Sequence, residues 1–163
     1  MRIEKDFEDL IKCLNRNKAR YCIVGGFAVI YYTAPRYTGD LDILAQPTRE
    51  NAAKILLALE EFGVGSGELS EDALVHEGKI IEIGRPPVMV HIMTRVDGVK
   101  SSEIWGRLVT AKYGKEPAYF IGLDELKKNK KACSRKAGRK SRGQDILDLK
   151  MLQKLKLKNS RHS

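Results

Sequence analysis

Ile23-Val24-Gly25-Gly26-Phe27-Ala28-Val29, followed shortly by Arg36-Tyr37-Thr38-Gly39-Asp40-Leu41-Asp42-Ile43, is the stretch on which the fold turns. Residues 21–24 are a short apolar run and predict a strand. Gly25-Gly26 interrupts it, and residues 27–31 resume as a buried helix that Pro35 ends, because the residue before a proline is pushed out of helical geometry. Residues 41–45 predict a second strand. Two glycines between a strand and a helix let backbone approach a ligand closely, and the free N–H groups of the helix start favour an anion such as phosphate. Asp40 and Asp42 are two apart on a strand, so both carboxylates emerge on one side while Leu41 and Ile43 face the core. Two such carboxylates repel unless a hard divalent cation lies between them. Alone, each feature has a plainer reading, a tight turn or two solvated acids. Together they point to a phosphate and metal site.

Outward from this segment, Ile3, Phe7, Leu10, Ile11 and Leu14 recur at helical spacing and predict an amphipathic helix over 3–17. Thr48 caps a third helix running to Phe62. The Gly-rich, acidic residues 63–72 read as a loop. Residues 79–83 and 88–93 flank Gly84-Arg85-Pro86-Pro87 and predict a hairpin. Residues 103–111 read as helical, with Ile104, Trp105 and Leu108 toward the core. Residues 118–121 give a further strand, 124–131 a helix and 136–143 a basic loop. Ile146, Leu149, Leu152 and Leu155, three apart, form the apolar face of a last helix. The fold class is therefore α+β: one domain over residues 1–163, a mixed sheet of about five strands flanked by helices, with basic helices from about residue 123.

Composition narrows the setting. The net charge is +9 and 42% of the residues are apolar, enough for one core but with no run near the roughly 18 residues that span a bilayer. No membrane partner is expected. The N-terminus is charged within six residues (Arg2, Glu4, Lys5, Asp6) and does not read as a secretory signal. Cys13, Cys22 and Cys133 are scattered and odd in number, which suggests no disulfide framework and a cytoplasmic setting. The basic excess is concentrated: residues 127–142 hold nine Lys or Arg and no acid, and residues 150–161 add five more. This is a footprint for a polyanion, whether nucleotide, RNA or DNA, or else a solvated basic face.

The glycine turn opening a helix, followed by Asp40-Leu41-Asp42, resembles the signature of the DNA polymerase β nucleotidyltransferase superfamily, with thirteen residues here between Gly26 and Asp40. Gly25-Gly26-Phe27-Ala28 and Arg36-Tyr37-Thr38-Gly39-Asp40-Leu41-Asp42 look like its small prokaryotic branch, which includes abortive-infection and toxin–antitoxin nucleotidyltransferases. Gly84-Arg85-Pro86-Pro87-Val88, Val96-Asp97-Gly98-Val99, Leu123-Asp124-Glu125-Leu126, Asn129-Lys130 and Asp145-Ile146-Leu147-Asp148 extend the resemblance over residues 20–152.

The resemblance implies transfer of a nucleoside monophosphate from a nucleoside triphosphate to an acceptor hydroxyl on RNA or protein, with Mg²⁺ or Mn²⁺. Gly25, Gly26, Arg36, Thr38 and Lys130 would bind the nucleotide, and Asp40 and Asp42 the metal. The family's third carboxylate falls on His91 in the strand 88–93. Histidine there is a base or ligand beside Asp40 and Asp42, or the mark of a degenerate site. Glu82 is a substitute carboxylate, facing Val88 or Met89 depending on the hairpin turn. Asp145 and Asp148, at i and i+3, read as partners of the basic loop or helix caps. The alternative function is a catalytically degenerate nucleotide- or RNA-binding module of a toxin–antitoxin-like system.

Overall fold

The computed structural model describes residues 3–65 and 69–160. Residues 66–68 of the expected loop, Arg2 and Arg161 lie outside the described residues. In chain order the elements are α1 (Lys5–Arg16), β1 (Tyr21–Val24), α2 (Gly25–Tyr32), β2 (Asp40–Ala45), α3 (Arg49–Phe62), α4 (Glu71–Val75), β3 (Ile80–Arg85), β4 (Val88–Met93), α5 (Ser101–Trp105), β5 (Val109–Tyr113), β6 (Glu116–Phe120), α6 (Leu123–Ser134) and α7 (Arg142–Ser160).

All six strands join one mixed sheet in the order β3-β4-β2-β1-β6-β5. β1 runs antiparallel to β2 and parallel to β6, and β2 runs parallel to β4, so the middle of the sheet is assembled by crossovers and its two edges by hairpins. α1 packs against α3, while α2 lies on β1 and β2 and meets α6 and α7. The class is α+β, as the order of elements predicts. No described helix is long and apolar enough to cross a membrane.

Local chemistry explains most boundaries. Phe7, Leu10, Ile11 and Leu14 are buried along α1, although Ile3 falls before the helix and is exposed. Thr48 caps α3, its Oγ1 accepting the Asn51 N–H at 3.1 Å. Part of the expected loop coils into α4, which Ser70 caps through the Ala73 N–H.

The structure corrects two expectations here. Residues 103–111 are not one helix. α5 stops at Trp105, and Val109-Thr110-Ala111-Lys112-Tyr113 forms a strand paired with β6 across the turn at Gly114-Lys115. Alternation along that run, ending on fully buried Tyr113, outweighs the Ile104/Leu108 spacing. The sheet therefore has six strands rather than about five. The second correction concerns α7. Among its described residues Asp145, Asp148 and Leu152 are buried and Leu149 and Leu155 half-buried, so of the expected apolar row only Ile146 is exposed, and the two acids share the inward face. The helix turns its acids inward because Lys130, Arg36 and Arg139 meet them there.

Candidate active site

The site begins where β1 ends. Val24 hands the chain directly to α2 with no side-chain cap, and Gly25 takes φ +66°, a left-handed conformation that favours glycine. A Cβ on Gly25 would run into the Asp42 carboxylate. A Cβ on Gly26 would lie 2.6 Å from Thr38 Oγ1 and 3.1 Å from Arg36 Nη2. The glycines are thus what let Asp42 on one side, and Thr38 and Arg36 on the other, close on the start of the helix.

Strand register draws the remaining groups into a row. Val24 lies opposite Asp42, Asp42 opposite His91, and His91 opposite Glu82, across four neighbouring strands. Asp40 lies on the same side of β2 as Asp42, opposite Met89, and is exposed. Neither register expected for Glu82 is the one found. The turn is centred on Pro86-Pro87, joined by a cis peptide bond, so Arg85 meets Val88 and Glu82 falls squarely across from His91.

His91 sits between two carboxylates. Its Nδ1 is 3.0 Å from Asp42 Oδ1, and its Nε2 is 3.8 Å from Glu82 Oε1. An ionised carboxylate only accepts, so the imidazole donates Nδ1–H to Asp42 and leaves Nε2 toward Glu82. Burial raises the pKa of Asp42, the hydrogen bond and charge of His91 pull it back, Asp40 raises it further, and Lys130 lowers it. Asp42 therefore lies within electrostatic reach of α6 as well as of its strand neighbours.

Arg36 and Lys130 are drawn into an ion cluster behind the glycines. Lys130 is buried, with Nζ 2.9 Å from Asp145 Oδ1 and 3.0 Å from Asp148 Oδ2. Arg36 Nη2 donates to Asp148 Oδ2 at 3.0 Å and Nη1 to the Tyr37 carbonyl at 2.9 Å, while its buried Nε–H has no hydrogen-bond partner among the described residues. Arg139 and Gln144 complete the cluster, on Asp145 Oδ2 and Asp148 Oδ1 respectively. Asp145 does pair with the basic loop, through Arg139, as the sequence suggests. Asp148, for which the sequence suggests only a loop partner or a cap, accepts from Arg36, Lys130 and Gln144. Only the placement of acids in a basic neighbourhood hinted at this.

The basic stretch is partly spent on such contacts. Lys128 pairs with Glu103, Lys136 with Asp97, Lys130 and Arg139 with the buried aspartates. Lys127, Lys131, Arg135, Lys140 and Arg142 form no ion pair among the described residues. A cavity of about 480 Å³ borders the site at Arg36, Thr38 and Gly39. Another, of about 770 Å³, lies at the far end of β1 around Tyr21, Gln46 and Asn51.

A glycine-opened helix beside a strand carrying two carboxylates, on a mixed sheet of this order, gives the chain a nucleotidyltransferase-like fold. Among solved structures, it is similar to an antigenic nucleotidyltransferase-like protein from Paracoccidioides brasiliensis, with a TM-score of 0.61 and 13% identity over 93% of this chain and 75% of that one. No protein-family model matches the sequence. No curated protein matches it either.

Proposed function

We propose that the chain is a metal-dependent nucleotidyltransferase, moving a nucleoside monophosphate from a nucleoside triphosphate to an acceptor hydroxyl on RNA or protein, in the manner of the small prokaryotic toxin–antitoxin branch. The observation that carries this reading is the closure of Gly25 and Gly26 on Asp42, Thr38 and Arg36. It supports the reading because a helix start suited to phosphate then lies close beside a carboxylate suited to a divalent cation.

The donor set fits Mg²⁺ held in part by substrate. Among the described residues no three His, Cys, Asp or Glu converge on a ready-made metal cage. Magnesium typically takes one or two carboxylates and completes its shell with water and phosphate oxygens, and Asp40 with Asp42 supplies that pair. The ion's chemistry there is to neutralise triphosphate charge and polarise the α-phosphate. Gly25 and Gly26 hold phosphate oxygens with backbone N–H groups. Thr38 donates a hydroxyl and Arg36 a charged fork. Lys130 keeps the region behind Asp42 positive. His91, held by Asp42 through Nδ1, would stand with Glu82 near the acceptor hydroxyl.

Incubating the protein with each α-labelled triphosphate, Mg²⁺ or Mn²⁺, and total RNA plus protein tests the reading. Transfer of label to an acceptor is the expected result, and its absence with every triphosphate and both metals would refute it.

One observation favours a second reading, a nucleotide- or RNA-binding module without turnover: the residue opposite Asp42 on β4, where the resemblance implies a third carboxylate, is His91. An Asp-Asp-His site carries one negative charge fewer and suits a softer ion, so transfer should be faster with Mn²⁺ than with Mg²⁺. His91→Asp should raise the Mg²⁺-dependent rate about tenfold or more, about 1.4 kcal/mol of barrier. A binding module would gain metal affinity without turnover, and a fall from a robust wild-type rate would show histidine to be a working base.

The unpaired cations of residues 127–142 suggest how an RNA acceptor would be held. If all five side chains contact phosphates of a single strand, log affinity should fall with log salt at a slope of about −3.5. Filter binding across a salt series measures it, and a flat response would leave only a solvated basic face.

A further inference from the structure

We propose that Asp148, on the C-terminal helix, is a positioning residue for the phosphate-binding groups: it fixes the Arg36 guanidinium against Gly26 and ties it to Lys130. The inference rests on the nucleotidyltransferase reading and adds α7 to the nucleotide site. Asp148 is fully buried, and its two oxygens accept from three side chains on three segments: Arg36 Nη2 at 3.0 Å, Lys130 Nζ at 3.0 Å and Gln144 Nε2 at 2.8 Å. A carboxylate taken out of water is costly, and a capping or stapling role would be met by one donor near the surface.

Geometry gives the three donors a purpose. The end of Arg36 that Asp148 holds is the same Nη2 that lies 3.1 Å from where a Gly26 Cβ would stand. An arginine on the exposed loop between α2 and β2 has many rotamers. Anchoring one nitrogen removes them before ligand arrives, which lowers the cost of forming a charged fork around a phosphate.

Charge completes the argument. Arg36, Lys130 and Arg139 bring three positive charges to this cluster, and Asp145 and Asp148 bring two negative ones. Within the cluster the positive charges exceed the negative by one, with Asp42 in electrostatic reach of Lys130 and Asp97 of Arg139, and the buried Nε–H of Arg36 has no hydrogen-bond partner among the described residues. An anion at Gly25-Gly26 would add a partner on the Arg36 side. Asp145 pairs with Lys130 and Arg139, whereas of the two aspartates only Asp148 contacts Arg36 among the described residues, so Asp148 links α7 to the Gly26 side.

The test is titration of Mg²⁺ with inorganic tripolyphosphate, which needs no knowledge of the base, into the wild-type chain, Asp148→Asn, Arg36→Ala and the double variant, with each fold verified by circular dichroism. Asp148→Asn should weaken tripolyphosphate binding about tenfold or more. On the Arg36→Ala background the same change should cost less than about twofold, because the residue acts through Arg36. A residue that only staples the helix would lower the melting temperature and leave affinity per folded molecule unchanged. Unchanged or tighter binding in Asp148→Asn, or losses that simply add, would overturn the inference while wild-type binding upholds the nucleotide site. Wild-type protein that binds no tripolyphosphate would overturn both. If Asp148→Asn does not fold, Asp148→Glu keeps the charge but displaces the guanidinium, and wild-type affinity in that variant overturns the proposal as well.

Discussion

Asp42→Ala is expected to abolish binding of a magnesium–triphosphate complex, and Asp40→Ala to do the same, with the fold intact in both. Neither side chain is part of the apolar core, and Asp42 lies in the row of Val24, His91 and Glu82. Removing either carboxylate halves the charge opposing the cation, and a single exposed or half-buried carboxylate holds Mg²⁺ weakly. Calorimetric titration measures the loss, and unchanged affinity in both variants would sink the site. The pH dependence of the apo protein has a worked sign. Burial holds the Asp42 pKa above its ordinary value, so its ionisation is less favourable folded than unfolded. Its contribution to stability is therefore present at low pH and is lost as pH rises from the ordinary carboxylate range through the raised value. Asp42→Ala should flatten that part of the stability–pH curve.

Lys130→Ala should cost about 3–5 kcal/mol of folding stability, the range for removing one partner from a buried ion pair. Lys130 bridges Asp145 and Asp148, which are 1% and 0% exposed. Without it each aspartate keeps an arginine, Arg139 or Arg36, but the two negative charges lose the cation between them. Denaturant unfolding gives the number, and a loss below about 1 kcal/mol would mean that the arginines suffice. Asp145→Asn made together with Lys130→Ala should recover part of the loss, since it removes one of the two buried carboxylates that have lost the cation between them.

The centre of the molecule was legible in the sequence because its signals are local. Gly25-Gly26, Pro35, the Asp40/Asp42 alternation and Thr48 each fix a boundary through their own backbone or side-chain chemistry, and the elements there fall within a residue or two of expectation. What escaped depends on partners distant in sequence. Val109 to Tyr113 becomes a strand only because β6 pairs with it. Glu82 meets His91 only because Pro86 and Pro87, rather than Arg85, occupy the turn. Asp145 and Asp148 join the leucines on the inward face of α7 against their polarity because of Lys130 and Arg36, which lie 15 and 112 residues from their aspartates. Apolar periodicity contains no term for a buried cation.

The row from Val24 to Glu82 also crosses from the middle of the sheet to its rim. Its first members are locked: β1 and β2 have neighbours on both sides. Its last member belongs to β3, an outer strand joined to β4 by two prolines. Lengthening or shortening that connection by one residue would roll β3 half a pleat, replacing Glu82 with Ile81 or Ile83 while Gly25, Asp42 and His91 stay where they are. The two halves of the site are thus mechanically separable. Asp42 sits on a strand paired on both sides, whereas Glu82 hangs on a turn of two residues, and re-cutting that turn would also swing buried Ile81 off the core face.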